Sequence, residues 1–246
     1  MPQFLVEPSR IKNNTAVVRG GDARHINAVL RLKAGDWLVI TDGMGHRWRS
    51  EVISSSPAKV EVKLISLLTT DDQQPTTVVL AQALLKHDRF EDIIQRTIEL
   101  GCQKIIPFIS KRTVCQRTGE QAHKRIRWQK IADEAAKQCG TAIRPVVEPP
   151  TTFEQLLNHF ERFQQVLLFW EGETSLHLNT QTLKHSNTLL IIGPEGGFAA
   201  EEVGLAREAG AVTASLGPLI LRAGTAAIAA LALMQYKLGY FDKTAI

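Results

Sequence analysis

The residues best placed to do chemistry fall in three short segments, each at the end of an apolar run. They are LLFWEGE at 167–173, IIGPEGG at 191–197 and SLGPLILRAG at 215–224. Gly193, Gly196 and Gly197 let the backbone come close to a ligand and adopt left-handed conformations where needed. A phosphate is nevertheless a poor guest for the second segment. Dinucleotide and P-loop sites face a polyanion with rows of backbone N–H groups. Here Pro194 removes one donor, Glu195 puts a carboxylate at the centre, and no Gly-Lys-Ser/Thr follows. A ligand without phosphate, or with a positive centre, suits these residues better. Adenosine-type compounds held by main-chain groups and apolar side chains fit, and S-adenosylmethionine, with its sulfonium cation, is one of that class. A plain glycine-rich turn is the alternative.

Such loops need a scaffold. Apolar runs at TTVVLAQALL, KIIPFIS, QVLLFW, TLLIIG and AVTASLG predict strands. Between them, helical spacing predicts helices at DRFEDIIQRTIELG, EQAHKRIRWQKIADEAAKQCG, TTFEQLLNHF and EEVGLAREAG, and the apolar TAAIAALALMQYKLGY closes the chain. Asp88 with Glu91, and Thr152 with Gln155, are spaced as capping boxes, and Gly101 and Gly140 are helix stops. Alternating strands and helices imply an α/β domain with a mainly parallel sheet, whose ligands bind outside the carboxyl ends of the strands. Before it comes a smaller β-rich unit. DWLVITDG and HRWRSEVIS flank a GMG turn, and KVEVKLISLL alternates as a half-buried strand. Ile26, Val29 and Leu30 predict a helix that stops at Gly35. The polar TTDDQQP, ending in Pro75, separates a domain at 1–72 from one at 73–246.

The net charge of +4 is mild, but its placement is not even. Residues 111–130 hold seven Lys or Arg against one acid, and residues 10–49 hold eight against three. Clustered bases suit a polyanion such as RNA; a solvated basic face is the plainer reading. Cys102, Cys115 and Cys139 form no disulfide framework, and no Cys/His spacing fits a metal. MPQFLVEPSR lacks the pattern of a signal peptide, and no apolar run is long enough to span a membrane. A reduced cytoplasm is the expected setting.

IIGPEGGFAAEEV followed by SLGPLILRAGTAAIAAL resembles the C-terminal signature of the SPOUT superfamily of trefoil-knotted methyltransferases. Within it, the chain is most similar to the ribosomal RNA small subunit methyltransferase E family. RHINAVLRLKAGDWLVITDGMG resembles that family's PUA-like RNA-binding domain. LAQALLKHDRFEDIIQRTIELGCQKIIPFISKRTV and WQKIADEAAKQCG resemble its central segments. The resemblance implies a homodimer that methylates N3 of a uridine in the 16S rRNA of the small ribosomal subunit, using S-adenosylmethionine. By position it assigns the cofactor to Leu168 and Phe169 in the first loop and to Gly193, Pro194, Glu195, Gly196 and Gly197 in the second. In the third loop it assigns Leu216, Gly217, Ile220 and Leu221. Arg222 matches a family arginine and would act on the RNA phosphate or the uracil; a salt bridge at a helix terminus is its other reading. Arg10, Arg24, Arg31, Lys111, Arg112, Arg125 and Arg127 are the expected RNA contacts.

The chain also departs from the pattern. The family motif L-G-x-R-I-L-R-x-E-T-A has an arginine and a glutamate where Leu219 and Gly224 stand, and Thr141 replaces the arginine usual after Gly140. Losing both members of an ion pair leaves neither charge stranded, which requires positions 219 and 224 to be neighbours. A non-catalytic RNA-binding or ribosome-assembly protein that kept the fold is the competing function.

Overall fold

The computed structural model describes residues 1–70, 77–86, 89–114, 121–174 and 187–242. The boundary expected at 72/73, Pro75 and the cap at Asp88 lie outside these residues, as do Cys115 and Arg117. The chain packs as two compact units.

The first unit is a six-stranded sheet. Its strands are β1 (Gln3–Leu5), β2 (Ile11–Lys12), β3 (Thr15–Arg19), β4 (Trp37–Thr41), β5 (His46–Ser55) and β6 (Lys59–Thr70). They lie in the order β1-β4-β5-β6-β3-β2, antiparallel except for β1 against β4. Alternate residues of this sheet, among them Phe4, Val18, Leu38, Ile40, Val60 and Val62, form a buried core with Ala23 and Ile26. The expected helix is shorter than its apolar spacing suggested. It comprises α1 (Gly20–Arg24) and a single wider turn over His25–Val29, and it ends there because Arg31 takes a left-handed φ of 54°. Strands β1 to β3 were not expected. Asn13 and Asn14, with φ of 49° and 58°, make the two-residue turn between β2 and β3, the conformation that a tight hairpin demands. Residues 136–144 also pack with this unit. Gln3 Nε2 donates to Thr141 O at 2.8 Å, Thr41 Oγ1 to Ala142 O at 2.8 Å, and Lys137 Nζ pairs with Asp22 at 2.7 Å.

The second unit is the expected α/β domain. Its main strands are β7 (Thr77–Ala83), β8 (Lys104–Ile109), β11 (Gln165–Phe169), β12 (Asn187–Ile192) and β13 (Val212–Ala214). The short β9 (Val146–Val147) and β10 (Thr151–Thr152) both pair with β8. The order β10-β8-β7-β12-β11-β13 is parallel throughout. The central strands are apolar on both faces because both are covered. One face packs Val79, Phe108, Leu168 and Ile191 against Phe153 and Leu156 of α4 (Phe153–Leu157) and Val203 and Ala206 of α5 (Ala200–Glu208). The other packs against α6 (Ala223–Lys237), which also meets α2 (Arg89–Glu99). The long α3 is Gln121–Cys139. The Thr152 capping box forms: Gln155 N–H donates to Thr152 Oγ1 at 3.2 Å and Thr152 N–H to Gln155 Oε1 at 3.2 Å. Gly101 and Gly140 end α2 and α3 with φ of 84° and 78°.

Cys102 is buried behind β7, and burial pushes its thiol pKa up to about 12. Above pH 9 the unfolded chain sheds this proton while the native chain keeps it, so this group makes stability fall as pH rises from about 9 towards 12. Cys139 is exposed. Maleimide labelling at neutral pH followed by peptide mapping should therefore mark Cys139 in the native protein and Cys102 only after unfolding. Native labelling of Cys102 at a similar rate would contradict its burial.

Candidate functional site

The carboxyl ends of β11, β12 and β13 lie side by side, with β7 next to β12. The chain reverses its direction of travel across the sheet here, since β8 lies to one side of β7 and β12 to the other. Open α/β sheets form their ligand crevice at such a point. An open cleft of about 1210 Å³ lies there, walled by the three strand-end loops and by the start of α2 and α6.

Of the residues assigned to a cofactor, Phe169, Gly193, Pro194, Glu195, Gly196, Gly197, Leu216, Gly217, Ile220 and Leu221 line this cleft. Leu168 does not. Strand alternation turns its side chain into the core beside Val166, Leu189 and Ile191, and it is fully buried. Arg222 lines the cleft as the residue that precedes α6, and among the described residues its side chain forms no salt bridge. Leu219 and Gly224 both line the same cleft.

The second loop is tightly fitted. Gly197 has a φ of 66° and its N–H donates to Pro194 O at 3.0 Å. A Cβ at 197 would collide with the Glu171 carboxylate, and one at Gly193 would lie 3.0 Å from the Phe198 ring. Glu195 does not aim a bare charge at the ligand space. Its Oε1 accepts from the Lys86 N–H and from Arg89 Nη1, both at 3.3 Å, so the carboxylate is neutralised by α2. On the other side Arg112 Nη1 donates to Gly196 O at 3.0 Å. The first loop is fixed at both ends. Trp170 N–H donates to Ala214 O at 3.2 Å, and Glu173 accepts from Arg207 at 2.9 Å and from Thr213 Oγ1 at 2.6 Å. In the third loop Ser215 Oγ accepts from Gly217 N–H at 3.2 Å, while Leu219 and Ile220 are 77% and 87% exposed.

Glu202 locks the segment after β8 to the start of α5. Its buried carboxylate accepts from Lys111 N–H at 2.8 Å and from Ala199 N–H at 2.9 Å. Neighbouring Glu201 is held below the usual carboxylate range, first by its own backbone N–H and then by Lys111. Replacing Glu202 with alanine strands two N–H groups and should destabilise the fold by roughly 2–4 kcal/mol. Denaturant unfolding would measure this, and a loss below 1 kcal/mol would argue against the lock.

The basic residues divide. Lys111 and Arg112 border the second loop, whereas Arg125 Nε donates to Val147 O at 3.2 Å and Arg127 pairs with Glu91 at 2.7 Å. In the first unit Arg24 and Arg31 are exposed, and Arg10 reaches Glu7 at 3.5 Å. Sequence reasoning missed Arg89, Asp92, Ile93 and Arg96, which α2 brings to the cleft, and also Trp170 and Glu171. The last two stand in LLFWEGE, one of the three strand ends, so a signal existed for them. Among the described residues, no three or more His, Cys, Asp or Glu gather as a metal site, and no helix is long and apolar enough to cross a membrane.

The model of an RNA methyltransferase domain matches residues 72–235, and that of an RNA methyltransferase PUA domain matches 18–65. Ribosomal RNA small subunit methyltransferase E of Bacillus subtilis is 35% identical over 231 residues, covering 91% of this chain and 90% of that protein. The chain belongs to the ribosomal RNA small subunit methyltransferase E family. The family member of Synechocystis is 32% identical, over 94% of this chain and 76% of its own. The crystal structure of the Neisseria gonorrhoeae member, bound to S-adenosyl methionine, superposes with a TM-score of 0.84 at 28% identity, over 96% of this chain and 97% of its own. At the two positions where the resemblance led to an expected arginine and glutamate, Leu219 and Gly224 give the cleft an apolar side chain and a bare backbone.

Proposed function

We propose that this chain transfers a methyl group from S-adenosylmethionine to N3 of a uridine in 16S rRNA. The observation that carries the reading is the cleft at three adjacent strand ends, walled by main chain and apolar groups, with a loop unsuited to phosphate. The residues fit the cofactor: an adenosine needs apolar walls and backbone groups, and the three strand-end loops supply both. When bound, the cofactor supplies an electrophilic methyl group.

The chain's own part is positioning. The three loops hold the donor at the strand ends; the first and second are fixed by hydrogen bonds to neighbouring elements, and the third by its own bond from Gly217 N–H to Ser215 Oγ. Arg222 faces the cleft with no partner of its own among the described residues, and in this reading its guanidinium donates to the uracil oxygens. Loss of the weakly acidic N3 proton puts negative charge on those oxygens, and a fixed cation stabilises it most as the charge develops. Lys111 and Arg112 beside the second loop, with Arg10, Arg24 and Arg31 on the PUA-like unit and Arg125 and Arg127 on α3, supply sequence-independent attraction for phosphates. The trefoil knot, a domain boundary near residue 72, a homodimer and a cytoplasmic setting belong to the same reading. Leu233 and Tyr236 of α6 are exposed and would supply part of a subunit contact.

The experiment is a titration with S-adenosylmethionine, followed by transfer of a labelled methyl group to 16S or 23S rRNA. Micromolar binding and label in 16S rRNA alone are expected. Binding of RNA without binding of the cofactor would favour the non-catalytic role.

A further inference from the structure

Six charged side chains line the cleft: Arg89, Asp92, Arg96, Glu171, Glu195 and Arg222. Four neutralise one another, Arg89 with Glu195 at 3.3 Å and Arg96 with Asp92 at 2.8 Å. Among the described residues Glu171 and Arg222 have no hydrogen-bond or ion-pair partner, one anion and one cation. Arg222 is accounted for by the substrate. Glu171 is not, although the fold accommodates it closely: its carboxylate lies over Gly197, where any Cβ would collide with it. The turn that carries it is tied to β13 through Trp170 and to Arg207 and Thr213 through Glu173. The Glu171 side chain is exposed, and its unpaired carboxylate, seated against the second loop on a tied turn, is open to a cationic guest.

We propose that Glu171 binds the α-ammonium of the cofactor's methionine moiety, an assignment that rests on the S-adenosylmethionine reading above. Four groups of that cofactor could meet a carboxylate. The sulfonium carries charge but no N–H or O–H, so it cannot donate a hydrogen bond. The ribose hydroxyls and the adenine amino group donate but are neutral. Only the ammonium does both, and charge-assisted hydrogen bonds are roughly twice as strong as neutral ones. Glu171 is thus a binding residue that selects ligands with a free amino group.

Calorimetric titration of the full chain and of Glu171→Gln with three ligands tests this. S-Adenosylmethionine has both cations, S-adenosylhomocysteine only the ammonium, and 5′-methylthioadenosine neither. The substitution should weaken the first two alike, by about 10- to 100-fold, and leave the third unchanged. A loss confined to S-adenosylmethionine would assign Glu171 to the sulfonium, and equal loss for all three would assign it to the ribose or the adenine amino group; either overturns the proposal. Unchanged affinities for all three would remove Glu171 from the site while sparing the cofactor reading. A wild-type chain that binds none of them overturns that reading itself.

Discussion

Arg222→Ala should reduce methyl transfer by about 10²- to 10³-fold while cofactor affinity stays within about twofold. Arg222 lines the cleft and precedes α6, and its side chain makes no hydrogen bond or ion pair among the described residues. A cation at that place is disfavoured by the helix dipole, typically by about 0.3–1 kcal/mol. Its removal should therefore leave the melting temperature unchanged or slightly higher. A side chain that opposes local stability and bonds to nothing among the described residues is explained by what it does to a ligand. Single-turnover kinetics, titration and thermal melting together check the three parts. Full activity in the alanine variant would remove Arg222 from the chemistry. A large fall in melting temperature would make its role structural.

Gly197→Ala is expected to abolish useful cofactor binding, with an affinity loss on the order of 100-fold or more. Two effects act together. The backbone at 197 has a φ of 66°, where a residue with a Cβ costs about 1–2 kcal/mol. The added methyl would also take the place of the Glu171 carboxylate, which must swing away from the second loop. Both residues line the cleft, so the methyl displaces the carboxylate proposed to hold the cofactor as well as straining the main chain beside it. Gly204→Ala is the control: it lies in α5, and a Cβ there meets nothing within 4 Å. If both variants bind S-adenosylmethionine like the wild type, the close fit at Gly197 has no bearing on the ligand.

The legible part of this site was the part with local causes. Pro194 and Glu195 among three glycines argue about their ligand in seven contiguous residues, and the apolar runs before each loop mark strands that must be buried on both faces. Arg89, Asp92 and Arg96 were not legible. They stand on an ordinary amphipathic helix about a hundred residues before the loops, and only the placement of β12 beside β7 brings them together. The pairing of Glu195 with Arg89 is of the same kind, and it changes the meaning of Glu195 from an exposed charge to a clasp. Leu168 shows the opposite case: it was assigned to the cofactor by position along the motif, although period-two alternation from Val166 already turns its side chain to the core. Strands β2 and β3 escaped because they are short, yet Asn13-Asn14 carried a usable hairpin signal. The early end of the helix after Val29 depends on Arg31, a residue type with no special preference for a left-handed conformation, so its spacing alone predicted a longer helix.

The central claim is methylation of uridine N3 in 16S rRNA. Mass spectrometry of nucleosides from the 16S rRNA of a strain lacking this gene tests it most directly, before and after its small subunits are incubated with the purified chain and S-adenosylmethionine. The account predicts that 3-methyluridine is absent from the deletion strain and is restored at a single uridine. Persistence of 3-methyluridine in that strain, or a restored methyl group on any other base, would contradict it.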